Sequence, residues 1–274
     1  MVTMLVLVVD RSAGVFAPSP GSLAERLGGR LSTHRPVVAG AAVVLAGYVV
    51  MALLLIGLGF ILTKLLLGGP VGTWDNSTNR WFVAQRTTAL NTLSAVGSTL
   101  GATLTVIGIA AAMSIALAIA RDWRRLGFLA AGLILEASVA LTVSILVNRP
   151  RPNVVRLDAA PPTASFPSGH TAAALVLYVS LALVLTSFVR SATVRVLAWV
   201  LAIALPIFVG LSRLYRGEHH PTDVMASVVI GVGCLMFALL ATRTAGAVTD
   251  RRAHYRTAEA GAHASSPADV EVLP

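Results

Sequence analysis

Apolar residues occur along this chain in six long runs that are separated by short polar segments. The runs lie approximately at 38–66, 96–120, 126–147, 170–189, 196–214 and 222–242. Each run comes close to or exceeds the roughly 20 residues that an α-helix needs to cross a bilayer, and few charges interrupt them. The pattern predicts an all-α polytopic membrane protein, in which residues 38–242 form a bundle of six transmembrane helices.

The composition excludes the two main alternatives to a membrane protein. Of the 274 residues, 56% are hydrophobic and 12% are charged, and the mean hydropathy is +0.80. Soluble domains carry about 25% charged residues, and disordered chains contain fewer Ile, Leu and Val residues. The single cysteine, Cys234, also excludes an internal disulfide and a cysteine-rich zinc site.

The basic residues predict an orientation in the membrane. Lys and Arg number 21 against 12 Asp and Glu, which gives a formal net charge of +9. We attribute this excess to the accumulation of basic residues on the cytoplasmic side of spans, and not to nucleic-acid binding. A cytoplasmic N-terminus puts most of the arginines inside. Residues 1–37 and 243–274 are then expected to be cytoplasmic tails, the first flexible and the second disordered.

The first outer loop, residues 72–86, carries two tryptophans, Trp74 and Trp81, among polar residues. Tryptophan is enriched at the headgroup level of membranes. We therefore expect this loop to form a helix that lies in the interface and is anchored there by the two rings.

Three polar clusters stand at the outer ends of spans. The first is Asn148-Arg149-Pro150-Arg151-Pro152, at the end of span three. The alternating prolines stop the helix and force an extended backbone, so that the guanidinium groups project at the membrane surface. Taken alone, the cluster is also compatible with arginines that merely reach the interface from a span end.

The second cluster is Phe166-Pro167-Ser168-Gly169-His170, directly before span four. A helix that starts here has free backbone N–H groups and a partial positive charge, which together favour an anion. An N-cap with a solvated histidine is the alternative interpretation.

The third cluster, residues 212–223, links spans five and six and contains Arg213, His219 and Asp223. If helix six begins near Pro221, His219 and Asp223 can approach each other across its first turn. A carboxylate bonded to one ring nitrogen fixes the tautomer and leaves the other nitrogen as a nucleophile or base. Arginine offers a planar, bidentate partner for phosphate oxygens.

Together the clusters resemble the three-part signature of the type 2 phosphatidic acid phosphatase and vanadium haloperoxidase superfamily, in its membrane lipid phosphatase branch. The resemblance rests on Arg151-Pro152, on Pro167-Ser168-Gly169-His170, and on Ser212-Arg213 followed by His219 and Asp223. By architecture it extends over approximately residues 40–242, since these membrane phosphatases also have six helices. It implies a lipid phosphate substrate. With the orientation predicted from the arginines, the site lies at the outer leaflet, and the preference for arginine over lysine hints at a bacterial source, in which this is the extracytoplasmic side of the cell membrane.

The resemblance also implies a mechanism. His219 attacks phosphorus and forms a phosphohistidine, Asp223 orients His219, and His170 protonates the leaving oxygen. The oxygens of the phosphoryl group are held by Arg151, Arg213, Ser168 and the backbone of Gly169. The scheme needs no cofactor and no metal; zinc held by His170, His219, His220 and Asp223 is disfavoured because surrounding arginines oppose a dication.

One residue departs from the family pattern. The first motif usually begins with a lysine seven residues before its arginine, and Ser144 occupies that position here. A missing ammonium weakens the charge that stabilises the transferring group. Either another cation compensates for it, with Arg149, Arg156 and Arg216 as the candidates, or the activity is lower, or the substrate differs.

Two other functions remain open. A lipid phosphotransferase would use the same histidine but pass the phosphoryl group to an acceptor alcohol. A transporter would bind phosphorylated substrates without cleaving them. Glu136, near the middle of span three, keeps this alternative open, but the near absence of other charges in the spans argues against it. We expect Glu136 to face the interior of the bundle, too far along the helix from Arg151 to join the site.

Overall fold

The computed structural model describes residues 14–159 and 164–264, with side chains up to residue 257. Over these residues all of its regular secondary structure is helical. The predictions that concern residues 1–13 and 265–274 lie outside the described residues.

The helices follow one another with short connections. They are α1 (Leu23–Arg30), α2 (Pro36–Ile61), α3 (Pro70–Ala84), α4 (Thr88–Leu100), α5 (Thr103–Ile119), α6 (Trp123–Val147), α7 (Gly169–Phe188), α8 (Ala192–Tyr215) and α9 (Pro221–Ala264). A π-helical turn, Leu62–Leu66, continues α2. Proline opens α2, α3 and α9, a position where its missing N–H costs no hydrogen bond.

Within the described residues, five helices are long and apolar enough to cross a membrane: Pro36–Leu66, Trp123–Val147, Gly169–Phe188, Ala192–Tyr215 and Pro221–Thr257. A sixth span is formed if the bent pair α4 and α5 crosses together. Large apolar side chains also point outward, for example Leu104 at 84% and Ile119 at 79% exposure. Such surfaces suit lipid, not water. The prediction of an all-α protein with about six spans is thereby confirmed.

The second span differs from its prediction as one continuous helix over 96–120. It starts earlier, at Thr88, and it bends by 46° between α4 and α5. The break lies at Gly101 and Ala102, where the backbone of Ala102 is extended. A Cβ atom at Gly101 would lie 2.6 Å from Val209 Cγ1 and 2.9 Å from the carbonyl oxygen of His170. The glycine thus permits a close approach of this backbone to the start of α7.

The chain forms two compact units, Val44–Leu239 and the pair of terminal segments Met1–Val43 and Leu240–Pro274. The larger unit has an apolar core in which α7 packs against α6 and α8. This core includes Leu55, Val143, Phe166, Val176 and Ile230. Glu136 on α6 is buried, as expected for a side chain that faces the bundle interior.

The terminal unit is more ordered than the sequence pattern predicts. The expected flexible N-terminal tail contains α1, capped by the Ser22 hydroxyl, which accepts from the amide of Glu25. The expected disordered C-terminal tail is helical up to Ala264, because α9 continues past residue 242. Close packing of Gly28 on Ala247 and hydrogen bonds from Arg252 to the carbonyls of Ser32 and Thr33 explain this order.

We expect Gly101→Ala to lower the apparent unfolding temperature in detergent by several degrees, because the added Cβ would collide with backbone at His170. Gly108→Ala, on α5, is the matched control, since no atom lies within 4 Å of its Cβ position. Thermal unfolding of both purified variants is the measurement. Equal unfolding temperatures would contradict the close approach at Gly101.

Candidate active site

The three polar clusters meet at one end of the larger unit. This end contains the last residues of α6 and α8 and the first residues of α7 and α9. Helix α6 ends at Asn148, whose φ of 45° is left-handed. Gly217 also has a positive φ of 78°, and a Cβ there would meet Val154 Cγ2 at 2.9 Å. A hydrogen bond of 3.1 Å from the amide of Leu157 to the carbonyl of Arg216 joins the two loops.

His219 is buried, and its ring is fixed through Nδ1. This nitrogen lies 2.7 Å from the backbone carbonyl oxygen of Ser165. A carbonyl can only accept, so Nδ1 carries the hydrogen and Nε2 carries the lone pair. Burial lowers the pKa of His219 below its ordinary value, although the carboxylate of Asp223 opposes this effect. The ring is therefore neutral near neutral pH, and Nε2 is available as a nucleophile.

Asp223 does not bond directly to His219, which differs from the sequence prediction. Its Oδ2 lies 3.8 Å from Nδ1, beyond hydrogen-bonding distance. Oδ2 accepts instead from the hydroxyl of Ser165 and, at 2.8 Å, from the amide of His220. Asp223 thus orients His219 indirectly, because it fixes the residue whose carbonyl holds the ring.

A buried arginine, Arg149, joins Asp223 to helix α3. Its Nη1 donates to Asp223 Oδ1 at 2.5 Å, and its Nη2 donates to Asp75 Oδ2 at 2.6 Å. Asp75 also accepts from the amide and the hydroxyl of Thr222, at 3.1 and 2.6 Å. Arg149 is only 2% exposed, and both of its Nη atoms are paired with carboxylates. We therefore do not expect it to bind a phosphate in place of the missing lysine.

Helix α3 contributes a second buried polar side chain that the sequence analysis missed. The amide nitrogen of Asn79 lies 3.1 Å from Nδ1 of His220. Asp75 and Asn79 are four residues apart and therefore share one helix face. Trp74 and Trp81 are 46% and 57% exposed. A helix is present here as predicted, over Pro70–Ala84, while its anchoring in the membrane interface stays a prediction. The spacing of its polar residues could have indicated the inward face.

Two arginines flank a buried carboxylate that the sequence analysis did not single out. Arg151 Nη1 donates to both the backbone oxygen and Oε2 of Glu218, each at 2.8 Å. Arg213 Nη2 lies 3.5 Å from the same Oε2. We call these three side chains, Arg151, Arg213 and Glu218, the arginine pocket.

Asp158 is a second carboxylate beside the arginine pocket. It accepts from Arg213 Nη1 at 2.9 Å and from Arg216 Nε at 2.8 and 2.9 Å. These bonds from Arg216 hold the pKa of Asp158 below its ordinary value. A cavity of about 150 Å³ opens here, and Asp158, Arg216 and residues of the α4–α5 bend line it. Arg216 is thus held by Asp158, whereas Arg156 is exposed and interacts electrostatically with Arg151.

The start of α7 brings the second cluster to the same place. Ser168 is buried, and its hydroxyl lies 3.0 Å from that of Thr171. No atom lies within 4 Å of a Cβ position at Gly169, so the first turn faces open space. His170 interacts electrostatically with Arg213, His219 and Asp158. The seven residues predicted for the site therefore lie in one region.

The potential zinc ligands do not form a metal cluster. The Nδ1 atoms of His219 and His220 face Ser165 and Asn79. Among the residues that the structure describes, no three His, Cys, Asp or Glu side chains are grouped as a metal site requires.

Comparison with known proteins adds a family and a fold. Residues 125–247 match the PAP2 superfamily, and the three clusters lie within this segment. The fold is similar to a transmembrane PAP2-type phosphatidylglycerolphosphate phosphatase from Bacillus subtilis, with a TM-score of 0.59 and 21% identity, covering 70% of this chain and 93% of that one. LpxE from Aquifex aeolicus has a TM-score of 0.46 and 24% identity, covering 60% and 93%. No curated protein matches.

We expect Asp75→Asn to destabilise the protein, because it leaves Arg149 with one carboxylate partner in a buried position. Breaking a buried ion pair typically costs about 3–5 kcal/mol, and the apparent unfolding temperature in detergent should fall by several degrees. Asp250→Asn, at an exposed position, is the control with the same chemical change. If the two variants unfold together, Asp75 does not support Arg149 as described.

Proposed function

We propose that this protein, in which residues 125–247 match the PAP2 superfamily, is an integral membrane phosphatase that hydrolyses a lipid phosphate or diphosphate. The observation that carries the proposal is the fixed, neutral ring of His219, which interacts electrostatically with Arg213 and Arg151. Candidate substrates are polyprenyl diphosphate, phosphatidic acid and phosphatidylglycerol phosphate. The last is of the type named for the similar Bacillus subtilis structure.

The reaction has two steps. Nε2 of His219 attacks phosphorus, the bond from phosphorus to the lipid oxygen breaks, and His170 protonates that oxygen. Water then attacks the phosphohistidine and gives a proton to His170, the bond from phosphorus to Nε2 breaks, and inorganic phosphate is released. The hydrogen bond from Nδ1 to Ser165 supports this assignment, because it leaves Nε2 free for the attack.

Positive charge and N–H donors stabilise the transferring group. Arg151 and Arg213 lie on one side of the site, and the open first turn of α7 supplies the amide of Gly169 and the hydroxyl of Ser168. These donors stand where charge develops on the phosphoryl oxygens in the transition state. They supply without a metal the charge that a Lewis acid would contribute.

The lipid substrate reaches the site from the outer leaflet in this proposal. The site lies at one membrane side, since it is built from the end of α6, the start of α7, the end of α8 and the start of α9. With both termini in the cytoplasm, as the distribution of arginines favours, this side is extracytoplasmic. In a bacterium, the protein then lies in the cell membrane.

Phosphate release from a panel of lipid phosphates, measured with detergent-purified protein in EDTA, tests the function. We expect release in EDTA and inhibition by vanadate, which resembles five-coordinate phosphorus. Addition of an acceptor alcohol separates hydrolysis from phosphotransfer, because a transferase would form a new phosphate ester. Loss of activity in EDTA that zinc or magnesium restores would contradict the metal-independent mechanism.

We expect His219→Ala to abolish turnover, because no other side chain is proposed to accept the phosphoryl group. Wild-type protein quenched in alkali after reaction with radiolabelled substrate should retain a phosphohistidine, and the variant should retain none. His254→Ala, at an exposed position, should behave as wild type. Turnover by His219→Ala at near-normal rates would eliminate the covalent mechanism.

A lysine at position 144 should improve the site. Ser144 lies on the last turn of α6, where its carbonyl accepts from Asn148, and a long side chain there can extend towards the arginines. Since Arg149 and Arg216 are held by carboxylates, we expect Ser144→Lys to raise kcat/KM for a lipid phosphate by about tenfold. Ser144→Met supplies length without charge. Equal kinetics of the two variants would contradict the alignment of Ser144 with the missing lysine.

A further inference from the structure

Glu218 places a negative charge where the proposed function requires positive charge. Its side chain is completely buried, and Oε2 is shared between Arg151 and Arg213. A carboxylate at this place competes with a phosphate for the same two guanidinium groups. Because Glu218 neutralises part of the arginine charge, it weakens the binding of a fully ionised phosphate. It favours instead a ligand that can donate a hydrogen bond to it.

Two atoms of the arginine pocket lack a hydrogen-bond partner in the described structure. They are the acceptor Oε1 of Glu218 and the donor Nε of Arg213, and both are buried. A buried polar atom without a partner is destabilising. A ligand that satisfies both atoms must offer an oxygen acceptor to Arg213 and an O–H donor to Glu218.

The neighbouring groups do not supply these contacts. Asp158 is occupied by Arg216 and by Nη1 of Arg213, and Ser98 bonds to the same Nη1 at 2.6 Å. The backbone oxygen of Glu218 accepts from Arg151. The unpaired donor is therefore Nε of Arg213 and the unpaired acceptor is Oε1 of Glu218. The two side chains are neighbours, because Arg213 Nη2 lies 3.5 Å from Glu218 Oε2.

A phosphoryl group that carries one proton offers both a hydrogen-bond acceptor and a hydrogen-bond donor. Its ionised oxygen accepts from Nε of Arg213, and its P–OH donates to Oε1 of Glu218. A fully ionised phosphoryl group has acceptors only, so one of its oxygens would face the carboxylate without a hydrogen. Phosphate esters lose their second proton near pH 6, so the protonated form is accessible at physiological pH.

We propose that Glu218 makes the arginine pocket selective for a phosphoryl group with one protonated oxygen. This inference rests on the proposed function, in which the same arginines hold the phosphate. Glu218 is a specificity-determining residue in this scheme, and the transferred group enters the site with its P–OH directed at Oε1.

Inorganic phosphate and sulfate are the probes that test this selectivity. The two anions have the same shape and nearly the same size, but sulfate carries no proton near neutral pH. We expect the full-length protein in detergent to bind phosphate at least about tenfold more tightly than sulfate at slightly acidic pH, as one hydrogen bond to a charged group allows. Isothermal titration calorimetry measures both affinities without turnover.

Glu218→Gln should reduce this preference by about tenfold, because the amide N–H can donate to sulfate and no longer repels it. Glu218→Asp, which keeps the charge, should retain part of the preference. Glu25→Gln, in the terminal unit, is the matched control and should leave the preference unchanged. Equal affinities of the wild-type protein for phosphate and sulfate would overturn the proposal even if the variants did not fold.

The outcomes separate this inference from the proposed function. Lipid phosphate hydrolysis without a phosphate preference, or with one that Glu218→Gln leaves intact, refutes the role of Glu218 and keeps the phosphatase. A preference that depends on Glu218, in a protein that releases no phosphate from any lipid in the panel, keeps the anion selectivity and refutes the phosphatase.

Discussion

The site depends on one buried guanidinium, that of Arg149, held between the carboxylates of Asp75 and Asp223. A charge removed from water is costly unless its partners are close and well aligned. The partners here come from α3, from the loop after α6 and from the first turn of α9, so these segments must be assembled together. Once Asp223 is fixed, it positions Ser165, and the carbonyl of Ser165 fixes His219. A structural ion pair thereby determines which ring nitrogen is free.

The remaining arginines differ from Arg149 in what surrounds them. Arg149 has carboxylates on both of its Nη atoms and lies almost completely out of contact with solvent. Arg151 and Arg213 share the carboxylate of Glu218, Arg213 also pairs with Asp158, and Nε of Arg213 has no hydrogen-bond partner among the described residues. Two carboxylates face the one charge of Arg149. At the arginine pocket, the ion pairs that the structure describes for Arg151, Arg213 and the neighbouring Arg216 involve two carboxylates, Glu218 and Asp158, so positive charge is left in excess there. An anion is therefore attracted to the arginine pocket and not to Arg149.

Much of this arrangement could be predicted from the sequence, because length, apolar runs and the spacing of the three clusters are local properties. The helical class, the spans and the grouping of His170, His219 and Arg213 follow from them. The bend at Gly101 could not be predicted, since it depends on the contact with His170, 69 positions away in the chain. Likewise, the spacing of His219 and Asp223 permits a direct bond, but Ser165 takes that place, and only the tertiary structure brings Ser165 there.

The bend in the second span also connects the membrane part of the fold to the site. Gly101 at the bend packs behind His170, and the hydroxyl oxygen of Ser98, one turn earlier on α4, accepts a hydrogen bond from Arg213 Nη1. In a straight helix, residues after Leu100 would continue along the axis of α4 and would not turn beneath the start of α7. Because the helix breaks, its last turn lines the cavity beside Asp158 and Arg216, while α5 continues as an apolar helix. The break thus lets one span contribute both a polar wall to the site and an apolar surface to the lipid.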